Sequence, residues 1–287
     1  VATGTTELID ATTAAVFIPT IYSKSAIVAR EQALLLANQV NRQFEKEMVM
    51  GQTLNVPGIS NLSVQTKNLS ANAATIYETI TETNTTLTVN TWEYSAIAVE
   101  SATETQVNRD LLKSYAPKQG YALALSIDDA LTALATSLSN SVGTYAADLT
   151  YEDILRGVQY LDDANAPQSD RYLDISPAQK AGLMKLDHFV NGDYSSLGAN
   201  ANKAAKESVL GTWMGIPVSF STNVNGSNAA GHDNLLFQKE CMALVVQMKP
   251  HTRYFDDIDY FAKKVAVEQL RGQAIMRNDH GVNLKGA

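Results

Sequence analysis

The 287 residues carry 22 basic against 30 acidic side chains, a formal charge of −8, with 45% hydrophobic and 18% charged residues. These proportions belong to an ordered globular chain of one large or two modest domains, not to a disordered one. The scattered Lys and Arg exclude the basic face of a nucleic-acid grip, the single Cys241 excludes an intrachain disulfide, and no apolar run approaches the ~20 residues of a membrane helix.

Residues 1–22 are Thr- and Ala-rich and end in VFIPTIY, which reads as an extended arm anchored by Phe17 and Ile18. Residues 24–50 predict a helix or a pair of short helices. Leu36, Val40 and Phe44 repeat at four on one stripe, and Gly51 is a natural stop. Residues 52–65 turn extended, with Pro57-Gly58 expected as a turn.

The stretch 66–90, TKNLSANAATIYETITETNTTLTVN, holds eight threonines in 25 residues and few large apolar ones. Its β-branched content favours strand. Ordering backbone costs about 1–2 kcal/mol per residue, and this segment has little apolar surface to offset that. It is expected to need contacts from elsewhere, with Ile76, Ile80, Leu87, Val89 and Trp92 as anchors. The following TLTVNTWEYSAIAVE alternates like a strand, with Leu87 and Val89 on one face. Tyr94, Ile97 and Val99 continue it after a register slip.

Residues 103–142 predict a long helix around Leu123, Ile127, Leu131 and Leu134, with Asp128 and Asp129 facing away from that stripe. Pro117 marks a kink or a first turn. Residues 148–165 predict a second helix, N-capped by Thr150 with Asp153 three residues on. RYLDISP reads as a buried strand from Arg171 to Ile175, stopped by Ser176-Pro177, with another helix starting at 178. Beyond 209 the pattern is strand, turn, strand. Residues 234–248 predict one central strand, and the tail is strand-like over much of its length. Helices in the middle and strands on both flanks give an α+β fold.

Chemistry is sparse. The histidines at 188, 232, 251 and 280 have no His or Cys at metal-ligand spacing, and phosphate-cradling glycine motifs and nucleophile elbows are absent. No catalytic, cofactor-binding or metal-binding residue is therefore assigned. The best acidic cluster is FDDIDY, with Asp256, Asp257 and Asp259. Its carboxylates suit a subunit contact, or less well a divalent cation in a metal-dependent hydrolase. Asp174 ends a strand, where a catalytic acid can sit. Its bland reading is a partner for a neighbouring Arg or a helix cap.

The order of these elements resembles the major capsid proteins of tailed double-stranded DNA bacteriophages, the HK97-fold family. The block TYEDILRGVQYLDDANAPQSDRYLDISPAQKAGLM is similar to the opening of that family's axial domain. GTWMGIPVSFSTNV and NLLFQKECMALVVQ are similar to its later strands. The resemblance implies an N-terminal arm and helix over 1–50 and an extended hairpin loop over 51–96. It implies a peripheral domain with a spine helix over 97–147, an axial domain over 148–255, and a return to the peripheral domain over 256–287. It further implies self-assembly into hexamers and pentamers of an icosahedral shell around double-stranded DNA, in the virion. Separate scaffolding, portal and decoration proteins would be partners, with no enzyme activity, cofactor or membrane. Lys67 lies in the loop, but no surrounding motif carries over the covalent crosslink known in some members. An encapsulin-like shell, or a tail-tube or surface-layer protein, is the alternative.

Overall fold

A computed structural model describes residues 34–67, 74–75, 77–100, 111–186 and 209–287. Three sheets and four α-helices make up the described chain. The elements run α1 (Leu36–Gln39), β1 (Thr53–Ile59), β2 (Glu82–Thr88), β3 (Thr91–Glu100), α2 (Leu111–Ala133), β4 (Asn140–Gly143), α3 (Tyr151–Asp163) and β5 (Arg171–Ile175). Then follow α4 (Pro177–Leu183), β6 (Val209–Trp213), β7 (Ile216–Phe220), β8 (Gly226–Ser227), β9 (Gly231–Gln238), β10 (Met242–Asp257), β11 (Ala262–Ile275) and β12 (Gly281–Gly286).

The largest sheet runs β4-β12-β9-β5-β7-β6, with β8 paired to β9. Strand β9 is buried at every position because both its faces are covered. Leu236 joins Ile154, Val158 and Leu161 of α3 on one side. Leu235 and Phe237 join Leu36, Val40, Leu131 and Leu138 on the other. A strand clothed on both faces reads as a continuous apolar run, which is the pattern of NLLF. The expected single strand over 234–248 is two strands. A turn at Lys239-Glu240 separates β9 from β10, and the Cys241 N–H donates to the Gln238 carbonyl at 2.8 Å.

The RYLDISP block folds as its residue types dictate. Leu173 and Ile175 enter the core. Arg171 is buried and ties the end of α3 to β5, donating to Asp162 Oδ1 at 2.7 Å and to the Pro167 carbonyl at 2.9 Å. Ser176 caps α4 by accepting from the Gln179 N–H at 3.0 Å, with Pro177 in the first turn. The Thr150–Asp153 capping box of α3 is formed in both directions.

The second sheet, β10-β11-β3, lies against α2. Gln119 of α2 donates to the Ser95 carbonyl at 3.0 Å, and Gln269 of β11 donates to the Leu123 carbonyl at 3.0 Å. Arg271 is nearly buried and forks onto Glu93 at 2.6 and 3.1 Å while also reaching Ser126. Burial pushes the Glu93 carboxyl up, but hydrogen bonds from Arg271, Ser126 and Gln269 outweigh it and hold it below its usual value. Strand β10 spans 242–257, so the boundary expected at 255 falls inside a continuous strand. After β11 the chain enters the large sheet as β12, antiparallel to β9 and parallel to β4.

The third sheet is the hairpin β1–β2. The turn expected at Pro57-Gly58 is not there. Both residues lie inside β1, paired with Asn84 and Thr83. Proline fits because, among the described residues, β1 has β2 as its single neighbour, so no second ladder there needs its missing N–H. The helix expected over 24–50 is reduced, within the described residues, to one turn of α-helix and a 3-10 turn at Gln43–Lys46. Its stripe nevertheless holds, since Leu36, Val40 and Phe44 are all buried.

Candidate intersubunit surface

The hairpin is seated firmly at one end and bare at the other. At its base Leu87 and Val89 pack with Phe44, Met48, Ala243 and Val245. The Val89 N–H donates to the Gln52 carbonyl at 2.8 Å, and Gln247 donates to the Met48 and Gly51 carbonyls at 3.2 and 2.9 Å. Gly51 turns the chain into β1 at φ +95, a conformation that favours glycine. Gly272 of β11 makes the seat possible, because a Cβ there would stand 2.3 Å from the Thr88 carbonyl oxygen. Leu87 and Val89 are therefore core residues of their own chain. That corrects their reading as anchors for a neighbour.

Beyond Ile59 and before Glu82 the picture reverses. Ile59, Leu62, Val64, Tyr77 and Ile80 are exposed, Val64 by 96%. The two limbs touch where the Ser63 N–H and hydroxyl donate to the Glu78 carboxylate at 2.8 and 3.1 Å. Ile80 keeps its role as an outward apolar group. Ile76, Phe17 and Ile18 lie outside the described residues, as does the start of the long helix at 103–110. Under the hairpin, a cleft of about 450 Å3 is lined by Phe44, Val56, Ile59, Glu240, Met276 and Arg277.

On β3 the inward residues are Thr91, Glu93, Ser95, Ile97 and Val99. Trp92 and Tyr94 face out, 68% and 72% exposed. The expected register slip is not there: odd-numbered positions face inward from Leu87 through Val99, and the break at 89–90 moves the chain from one sheet to another without changing that alternation. Tyr94 belongs to the outer face, not with Ile97 and Val99. Trp92 donates from Nε1 to Glu268 at 3.0 Å, and Glu268 also pairs with Arg253 at 2.5 Å.

Asp256, Asp257 and Asp259 sit at the tip of the long β10–β11 hairpin. They do not converge. Asp256 and Asp257 are successive strand residues and point to opposite faces. Asp257 accepts from the Asp259 N–H at 2.9 Å and pairs with Lys264, whose hydrogen bond holds the carboxyl below its usual value and raises the ammonium. Among the described residues no group of three or more His, Cys, Asp or Glu is placed to hold a metal ion. What the tip carries instead is apolar: Tyr254, Phe255, Ile258, Tyr260 and Phe261 are all exposed. The signal is present in the sequence as the aromatic flanks of YFDDIDYF, overshadowed by its carboxylates. Lys264 lies over the Tyr260 ring at 5.3 Å.

Asp174 and Asp128 go elsewhere than expected. Among the described residues Asp174 pairs with no Arg and caps no helix. It is buried and accepts from Ser219 and, at 3.3 Å, from Gln39 Nε2. Asp128 is also buried and caps α1 from a distance. It accepts from the Leu36 N–H at 3.0 Å and from Asn223 at 3.2 Å. Cys241 is buried, and burial pushes its thiol up to about 12, so it is a core residue with no nucleophilic character at neutral pH.

Among the described residues no helix is long and apolar enough to cross a membrane. No protein-family model and no curated protein matches the chain. Solved structures do. A structure from Mycobacterium phage Che8 superposes with a TM-score of 0.81 at 20% identity, over 93% of this chain and 97% of that one. The capsid structure of Cyanophage P-SCSP1u gives 0.73 at 16% identity, over 96% and 94%. The mature capsid of bacteriophage PhiM1 gives 0.70 at 13%, over 93% and 92%. The chain thus has, over nearly its whole length, the fold seen in phage capsids.

Proposed function

We propose that the chain is the major capsid protein of a tailed double-stranded DNA phage, building an icosahedral shell from hexamers and pentamers of itself. The observation that supports this most is the match to capsid structures over nearly all of these 287 residues. In this reading 1–50 is the arm, 51–96 the loop that laps a neighbour, 97–147 the spine region, 148–255 the axial part and 256–287 the return. The role is structural. The exposed apolar residues of the hairpin, with Trp92 and the aromatic tip, are the surfaces that a neighbouring copy covers. Phe17, Ile18, Ile76, Asp256, Asp257 and Asp259 are proposed contacts of the same kind. The acidic chain encloses DNA without gripping it. Separate scaffolding, portal and decoration proteins complete the particle.

Deleting residues 62–79, which leaves β2 and the buried Leu87 and Val89 in place, tests this reading. The deleted chain is expected to stay folded and soluble while electron microscopy finds no closed shells. Normal shells from the deletion would refute the lapping-loop mechanism.

A further inference from the structure

Two buried carboxylates hold the 34–48 segment to the body, and among the described residues no cation is among the groups they bond. Asp128, from the middle of α2, accepts from the Leu36 N–H at the start of α1. Asp174, from β5, accepts from Gln39 at the end of α1. Ser219 of β7 bonds both Asp174 and Gln39, and Asn223 bonds Asp128. Three regions far apart in sequence meet around one turn of helix.

The two carboxylates are not equally served. Asp128 takes a donor on each oxygen, the Leu36 amide on one and Asn223 on the other. Asp174 takes both donors on Oδ1, and its Oδ2 is buried with no hydrogen-bond partner. A buried anionic oxygen with no donor is costly, and a proton removes that cost. The other titratable groups that act on Asp174 are Asp128, which disfavours its charge, and the Tyr172 phenol. Its strand neighbours are Ser219 on β7 and the apolar Leu235 on β9.

We infer that Asp174 is a proton-operated catch for the 34–48 segment, engaged when protonated and loosened when ionised. Because 34–48 carries Phe44 and Met48 into the hairpin seat, the catch governs how firmly the hairpin root is held. The catch is built from contacts within one chain and does not depend on shell assembly.

Burial, against the weaker help of Ser219 and Gln39, pushes Asp174 from 3.8 up to about 6. A carboxyl whose folded value lies above its unfolded one favours the closed state as pH falls through the folded value. That gain is complete below the unfolded value and is lost as pH rises through about 6. Between pH 5 and 7.5 this corresponds to about a tenfold increase in local opening.

Amide hydrogen exchange of the full chain tests it, in chelator-containing buffer, with rates corrected for intrinsic pH dependence and β9 as internal reference. Opening of 34–41 is expected to rise about tenfold across that range in the wild type. It should be flat in Asp174→Asn. Gln39→Ala removes a donor that favours the charged carboxyl, so the rise should persist and be no smaller, with β9 unchanged. A pH-independent wild type, or a response flattened in Gln39→Ala, would overturn the proposal. Protection restored at pH 7.5 by millimolar calcium or magnesium alone would overturn it in favour of a bound cation.

Discussion

Strand β9 and strand β1 are nearly equal in length, eight and seven residues, and face opposite surroundings. Every residue of β9 is buried between two helical layers, while no residue of β1 is and its outer edge is unpaired among the described residues. The first strand obtains its stability from the chain that contains it. The second and the loop beyond it expose Ile59, Leu62, Val64, Tyr77 and Ile80, apolar surface that an isolated subunit does not cover. Between them lies the seat formed by Leu87, Val89, Phe44 and Met48, where the self-sufficient part ends.

Substitutions should separate these regions by size of effect. Leu236→Ala, in the middle of β9, is expected to lower unfolding stability by about 2–5 kcal/mol in a chemical denaturation titration. Arg271→Ala strands the partly buried Glu93 and should cost about 3 kcal/mol. It should also remove the acid sensitivity that Glu93 confers. That carboxyl sits below its unfolded value, so its contribution is present above that value and is lost as pH falls through the lowered one. Gly272→Ala should cost about 1–3 kcal/mol by forcing β11 off the Thr88 carbonyl. Hydrogen exchange should then report a loosened hairpin seat and an unaltered β9. Ile258→Ser, at the β10–β11 tip, should change subunit stability by less than about 0.5 kcal/mol while lowering particle yield in sedimentation. A large loss of subunit stability from Ile258→Ser would erase the distinction between buried sheet and open tip.

Local features are legible in the residues themselves. The Thr150–Asp153 box, the Ser176-Pro177 stop and the Leu36/Val40/Phe44 stripe depend on residues a few positions apart, and each is present. Misreadings arise where a distant partner decides. Pro57-Gly58 resembles a turn until β2 pairs with it, and Asp128 resembles a solvated charge until α1 presents its amides. Leu87 and Val89 look available to a neighbour because the residues covering them, Ala243 and Val245, lie more than 150 positions away. The aromatic tip is visible in composition but not as a surface, since exposure is a property of what packs nearby.

The sequence by itself determined an α+β chain with capped helices, a two-sided apolar strand and a Thr-rich segment too polar to support itself, because periodicity and capping act over a few residues. Only the tertiary structure decided which hydrophobes are spent inside the chain and which remain open, and that two carboxylates from distant segments close on one turn of helix. Burial and the pairing of buried charge are set by contacts across tens to hundreds of residues, which local residue pattern does not encode.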